Sequence, residues 1–209
     1  KMLNWFLHYF KNCNHHSMMH TAKNMHQILS LSNDAYEEIF QEIDTSGLVE
    51  KKGIIYIWTN KNLKSRNLEI KVRKQLGIEQ KLLTQKEVLD LEPNLQPVFD
   101  AGVIYESAMH ARDPHGILKK IFKLFLERGG KFVQTNIKNL EQININETAI
   151  RSEDEEYKFE KIVVASGAFS KSLTDQLGEN IPLDTERGYH VHFKGKDHLI
   201  SRPVIFLDR

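Results

Sequence analysis

Cysteine is almost absent from this chain: Cys13 is the single one in 209 residues. An intrachain disulfide is therefore excluded, and the fold must hold without oxidation, as in a reducing compartment. Long apolar runs are also absent. No stretch approaches the roughly 18 apolar residues of a membrane-spanning helix. Residues 1–10, interrupted by His8 and followed by Lys11 and Asn12, have neither the long apolar core nor the small-residue cleavage site of a signal peptide. Neither sign of charge is in excess. Lys and Arg number 29 against 28 Asp and Glu, which leaves +1 and no basic surplus for binding nucleic acid. No G-x-S-x-G surrounds Ser166 or Ser170, and Cys13 has no neighbouring base, so nucleophilic catalysis has no motif to rest on. The G-x-G-x-x-G phosphate loop that opens a dinucleotide-binding domain is missing as well.

What remains is an ordinary globular composition. Hydrophobic residues make up 40% and charged residues 27%, enough in this length for one good core or two small ones. The first 27 residues carry a broken helical pattern, with Trp5, Phe6, Tyr9 and Phe10 and then Met18, Met19, Ala22 and Met25, which predicts two helices joined near residues 12–14. Ser32, Asn33 and Asp34 start a third helix through Tyr36, Ile39, Phe40 and Ile43, with Gly47 as its stop. Residues 53–59 are β-branched and aromatic, and so read as a strand. Residues 63–76 read as an exposed helix stopped by Gly77. Thr84 to Glu87 is a capping-box helix start that the Glu92-Pro93 pair ends, because the residue before proline disfavours the α region. Residues 102–105 form another strand. Asp113 as N-cap and Pro114 at the first helical position open the clearest helix of the chain, closed by Gly129 and Gly130.

Beyond it, residues 131–135 and 140–145 read as strands, and an acidic hairpin at 152–157 leads to the run 161–178, KIVVASGAFSKSLTDQLG. Here Ile162 to Ala165 suit a strand buried on both faces, while Ser166, Gly167 and Ala168 allow close approach to the main chain. Ser170 is placed as N-cap of a helix facing the core with Leu173 and Leu177, and Gly178 ends it. This order presents backbone to a nucleotide, although a plain strand-turn-helix of any α/β protein has the same residue types. Residues 181–193 turn extended again, with Tyr189, Val191 and Phe193 on one face and His190 and His192 on the other. The chain starts at Lys1 and ends on a strand-like Ile205 to Arg209, a pattern that predicts an internal piece of a longer protein.

Ten histidines invite a metal reading, and His15, His16 and His20 with Cys13 are the most suggestive group. No carboxylate nearby would orient the rings and no returning ligand pair follows, so they read as a solvated helix junction and no metal is expected. Arg187, Tyr189 and His190 bring a guanidinium, a phenol and an imidazole into four residues. That set could hold a carboxylate, and it equally suits an ordinary strand entry with a turn glycine.

Four stretches in order resemble the FAD-dependent D-amino-acid dehydrogenase and glycine oxidase family. They are Leu91-Glu92-Pro93-Asn94-Leu95, the Asp113-Pro114 helix through Glu127-Arg128-Gly129-Gly130, Val163 to Ser170, and Ile181-Pro182-Leu183 through His190. The fold that this resemblance implies is mixed α/β, part of a doubly wound FAD-binding domain interleaved with an antiparallel-sheet substrate domain. Residues 1–108 would be a first segment of the substrate lobe, 109–180 the second part of the FAD domain, and 181–209 a second segment of the substrate lobe. Cofactor contacts would come from Ile137, through its main chain at the adenine, and from Ala165, Ser166, Gly167, Ala168 and Phe169. Arg187, Tyr189 and His190 are the substrate-side candidates, and no residue is assigned a catalytic role. The implied activity is oxidation of the C–N bond of a small amino acid, as in a D-amino acid dehydrogenase. Hydride passes to flavin N5, the imino acid hydrolyses to a 2-oxo acid and ammonia, and electrons go on to a quinone-type acceptor or to oxygen. A glycine or sarcosine oxidase, and a non-catalytic binding module that kept the fold, are the alternatives. The resemblance implies a cytoplasmic protein, free or peripheral at the inner face of the membrane.

Overall fold

The computed structural model describes residues 2–60, 63–191, 193 and 199–208; His192 lies outside them. Contacts divide the chain into two compact units, one of residues 1–130 with 196–209, the other of residues 131–195. This division by contacts does not coincide with the three segments expected from the sequence, which follow a family's domain bookkeeping.

In the first unit, helices α1 (Met2–Asn12), α2 (His15–Leu29) and α3 (Ser32–Phe40) precede the short strand β1 (Val49–Glu50). Asn14 separates the first two helices and accepts the Ser17 N–H at 2.9 Å, as the junction in the sequence predicts. Next come β2 (Ile54–Trp58), α4 (Leu63–Gln75), β3 (Lys81–Thr84), α5 (Gln85–Leu91), β4 (Ala101–Tyr105), β5 (His110–Ala111) and α6 (Pro114–Glu127). The chain returns to this unit as β9 (Val204–Phe206).

A four-stranded sheet in the order β3-β4-β2-β9 organises this unit, antiparallel except for the parallel pair β2–β9. Ile55, Ile57 and Ile104 face one side with Leu83, Val88 and Phe99, while Trp58, Val103 and Tyr105 face the other. Both faces are covered, and for that reason the strands read as continuous apolar runs rather than alternating ones. Gly102 is required by close packing: a Cβ there would lie 2.9 Å from the Tyr56 carbonyl oxygen and 3.0 Å from Val88 Cγ2. The Thr84 capping box is present, with the Thr84 hydroxyl and the Glu87 side chain satisfying each other's backbone amides. Asp113 caps α6 by accepting the Gly116 N–H at 2.9 Å, with Pro114 in the first turn.

The second unit holds an antiparallel meander, β6 (Asn139–Asn144), β7 (Glu147–Arg151) and β8 (Glu156–Phe159), followed by the short helix α7 (Ser170–Thr174). Leu140 and Ala149 are its buried residues on facing strands. Three extended stretches expected as strands are not strands here over their described residues: 131–135, 162–165 and 181–191 with 193. Many of their side chains lie open, Val163 at 88% and Phe193 at 90% exposure, while Ile162, Val164 and Leu183 are half-buried. A strand exists only through ladder partners, and none of the described strands pairs with these stretches. Ser170 also differs from expectation. It does not cap the amides ahead of it; α7 begins at Ser170 itself, and its hydroxyl accepts the Ser166 N–H behind it at 3.1 Å. Among the described residues no helix is long and apolar enough to cross a membrane.

Candidate functional site

The turn that follows residues 162–165 is a single 3-10 turn, Gly167–Phe169, leading directly into α7. Gly167 has φ +55, the left-handed region, and no heavy atom within 4 Å of where a Cβ would stand. Conformation rather than crowding thus explains the glycine, and the space over its backbone is open. The Phe169 N–H donates to the Ser166 carbonyl at 3.1 Å and Ser172 Oγ to the Phe169 carbonyl at 2.8 Å, which fixes the turn internally. Phe169 itself presents its ring outward, 76% exposed. Ala165, Ser166, Gly167 and Ala168 are exposed too.

Ile137 lies two residues before β6 and is half-buried. The Lys138 N–H donates to the Arg151 carbonyl at 2.8 Å and so anchors this approach to the meander. One side chain that the sequence did not single out connects it to the turn. Gln176 accepts the Leu140 N–H at 3.0 Å, and its amide donates to the Lys138 carbonyl at 3.1 Å and the Ser172 carbonyl at 3.0 Å. Ile137 and the turn before α7 are therefore held within one framework. Only the spacing of Gln176 from Ser172, one helical turn, hints at this in sequence; its partners near Lys138 lie 36 and 38 positions away.

Arg187, Tyr189 and His190 follow α7 in the second unit. They lie on an irregular exposed stretch, with Tyr189 at 87% exposure, and none lines the cavities of about 360, 340 and 330 Å³ found in the first unit. His15, His16 and Cys13 are exposed, and among the described residues no three His, Cys, Asp or Glu side chains are placed to share a metal ion.

In the first unit the densest polar chemistry surrounds Glu92, whose carboxylate is 2% exposed. It accepts the Ser201 N–H at 2.8 Å, the Ser201 hydroxyl, and Arg202 Nε at 2.9 Å. Arg202 Nη1 continues to the Lys52 carbonyl at 3.0 Å, and Asn94 Nδ2 donates to the Leu199 carbonyl at 2.9 Å. Thr59 closes the far end of the same segment by donating its hydroxyl to Asp208 at 2.6 Å. These bonds hold residues 199–208 against the sheet and so supply β9.

A family model described as FAD dependent oxidoreductase matches residues 8–208. A D-amino-acid oxidase of Bradyrhizobium diazoefficiens is 30% identical over 171 residues, covering 82% of this chain and 41% of that protein. A D-amino acid dehydrogenase of Vibrio atlanticus is 24% identical over 213 residues, covering 100% of this chain and 49% of the relative. Among solved structures, glycine oxidase from Geobacillus kaustophilus superposes with a TM-score of 0.59 at 18% identity, over 71% of this chain and 40% of the other. That likeness is one of fold. The chain spans less than half the length of these relatives.

Proposed function

The chain belongs to the FAD-dependent oxidoreductase family, and from that premise we propose that the protein oxidises the C–N bond of a small amino acid of the D configuration. The observation that carries this reading is the 30% identity to a D-amino-acid oxidase across 82% of the chain. FAD, when bound, supplies the two-electron acceptor, while the protein positions and orients. The residues present fit one end of it. The open backbone of Ala165, Ser166, Gly167 and Ala168, the outward ring of Phe169 and the main chain at Ile137 would hold the adenosine portion, with Gln176 keeping the two contacts in register. No G-x-G-x-x-G for the pyrophosphate occurs in the 209 residues.

In this reading residues 109–180 serve the FAD domain, and residues 1–108 and 181–209 serve the substrate lobe. Arg187, Tyr189 and His190 remain the substrate-side candidates, to be ordered once their stretch is covered. The relatives named D-amino acid dehydrogenase favour a quinone-type electron acceptor, and a cytoplasmic protein that meets the membrane peripherally at its inner face would serve such an acceptor. The relative named D-amino-acid oxidase favours oxygen instead. The test is to purify the complete gene product, record its visible spectrum, and add D-alanine without oxygen. Flavin absorption that bleaches with D-alanine supports the reading; a colourless protein would return the chain to a binding module. Peroxide on re-aeration separates the oxidase from the dehydrogenase.

A further inference from the structure

The large apolar side chains of α1 lie open. Leu3, Phe6, Leu7 and Phe10 recur at the i, i+3, i+4 and i+7 spacing of one helix face. Leu3, Leu7 and Phe10 are 72%, 61% and 68% exposed. Trp5 and Tyr9, one turn apart at the margin of that face, stack with ring centroids 5.3 Å apart, and Phe6 and Phe10 stack at 6.4 Å. The rings thus pack along the helix itself and still present an open side, with Trp5 60% exposed. His8, Lys11 and Asn12, all exposed, stand on the opposite side. Single exposed apolar residues are ordinary, but a contiguous set on one short helix marks a surface that meets something.

Charge is distributed as unevenly. The first acidic residue of the chain is Asp34, so residues 1–33 hold Lys1, Lys11 and Lys23 against no carboxylate. With three of the 29 basic residues in that stretch and none of the 28 acidic ones, the rest of the chain carries two more acids than bases. The positive end of this distribution and the open apolar helix are the same segment.

We propose that α1 is the element by which the protein docks on an anionic lipid bilayer, lying in the plane of its headgroups. An apolar face of Leu and Phe, with lysine on the polar side, is the composition of a helix that settles at this boundary. Trp5 and Tyr9 stand at the margin between the two sides, where an amphipathic ring meets headgroups. The 11 residues of α1 span about 16 Å, half of the roughly 30 Å hydrocarbon core, so the helix lies along the surface and does not cross it. A protein groove fixes its register through paired charges of both signs. A segment with one sign of charge and no carboxylate suits instead a surface that has a negative field and no fixed geometry. The inference rests on the peripheral-membrane part of the reading above and names the element that performs it; the flavin site takes no part in it.

The test uses the complete gene product and two sets of vesicles, phosphatidylcholine alone and phosphatidylcholine with one third phosphatidylglycerol. Binding is read by co-sedimentation and by tryptophan emission. The protein should sediment with the phosphatidylglycerol vesicles and not with phosphatidylcholine alone, and its emission should shift to the blue as Trp5 enters the headgroup layer. Trp5→Phe should keep the binding and lose the shift. Phe10 and Lys11 are exposed, so their variants should leave the melting temperature in place. Phe10→Ser should weaken vesicle binding about tenfold, and Lys11→Gln about fivefold. No sedimentation with either vesicle, equal binding to both, affinity indifferent to Phe10→Ser, or a blue shift that survives Trp5→Phe would each overturn the proposal. Neither readout uses flavin, so a protein that ignores vesicles yet bleaches with D-alanine loses this docking element and keeps its proposed chemistry.

Discussion

Replacing Glu92 with glutamine removes the charge facing Arg202 while keeping the shape of the side chain. With Glu92 2% and Arg202 15% exposed, the variant leaves a poorly hydrated guanidinium without its counter-charge. Breaking such a buried pair costs about 3 kcal/mol, and urea unfolding of Glu92→Gln should show a midpoint lowered accordingly. An unchanged midpoint would mean that Arg202 turns to solvent. Tyr105 offers a second measurement at this scale. Burial raises its phenol pKa above the ordinary value, with the Arg73 guanidinium opposing. The neutral phenol is therefore favoured in the fold: its contribution is complete below about pH 10 and is lost as pH rises through the raised folded value. Tyr105→Phe should flatten the alkaline fall of the stability curve. Neither partner of Glu92 could be read from sequence. Pro93 announces the end of α5, but Ser201 and Arg202 stand 109 and 110 residues away, and pairing at that range is a product of the sheet.

At the scale of elements, what could be read depended on whether the determinants are local. The capping box at Thr84, the Asp113-Pro114 start and the Asn14 junction are all satisfied within one helical turn, and each stands where the sequence places it. Thr84→Ala should cost about 1 kcal/mol. It should also weaken the hold on Glu87, whose carboxyl the Thr84 amide and hydroxyl keep below its usual range, because the hydroxyl is lost while the amide remains. Because a lowered carboxyl contributes above its unfolded pKa and loses that contribution as pH falls through the folded one, the variant should lose less stability than the wild type on acidification below about pH 4.5. Parallel acid titrations of the two proteins by circular dichroism decide it. Strands obey the opposite rule. Within residues 53–59, Ile54–Trp58 became β2 because β4 and β9 flank it, whereas 162–165, equally apolar, stayed irregular with no ladder partner among the described strands. Composition states a preference for strand, and only pairing realises it.

The whole molecule carries the same lesson into function. The open turn at Gly167, the exposed Val163 and the apolar face of α6, where Leu118 is 65%, Phe125 44% and Leu126 44% exposed, are surfaces a folded protein normally covers. The chain matches the family over residues 8–208 yet spans under half of the relatives it resembles. The family was legible because its motifs here are local runs, while the placement of Arg187, Tyr189 and His190 was not, because a cavity is made by elements that meet. For cofactor binding the consequence is quantitative. Affinity for a dinucleotide is concentrated where a glycine-rich loop and a helix N-terminus meet the pyrophosphate, and that loop is not among these 209 residues. The adenosine contacts proposed for residues 165–169 would by themselves leave most of the ligand in water. We therefore expect the 209-residue chain to emerge from gel filtration without flavin after incubation with FAD, and to quench FAD fluorescence weakly and without saturation. Gly167→Val, which forces a branched side chain onto the left-handed backbone position, should abolish even the weak quench. Stoichiometric flavin carried through the column would show that the turn and its neighbours suffice, and would move the centre of the cofactor site onto this chain.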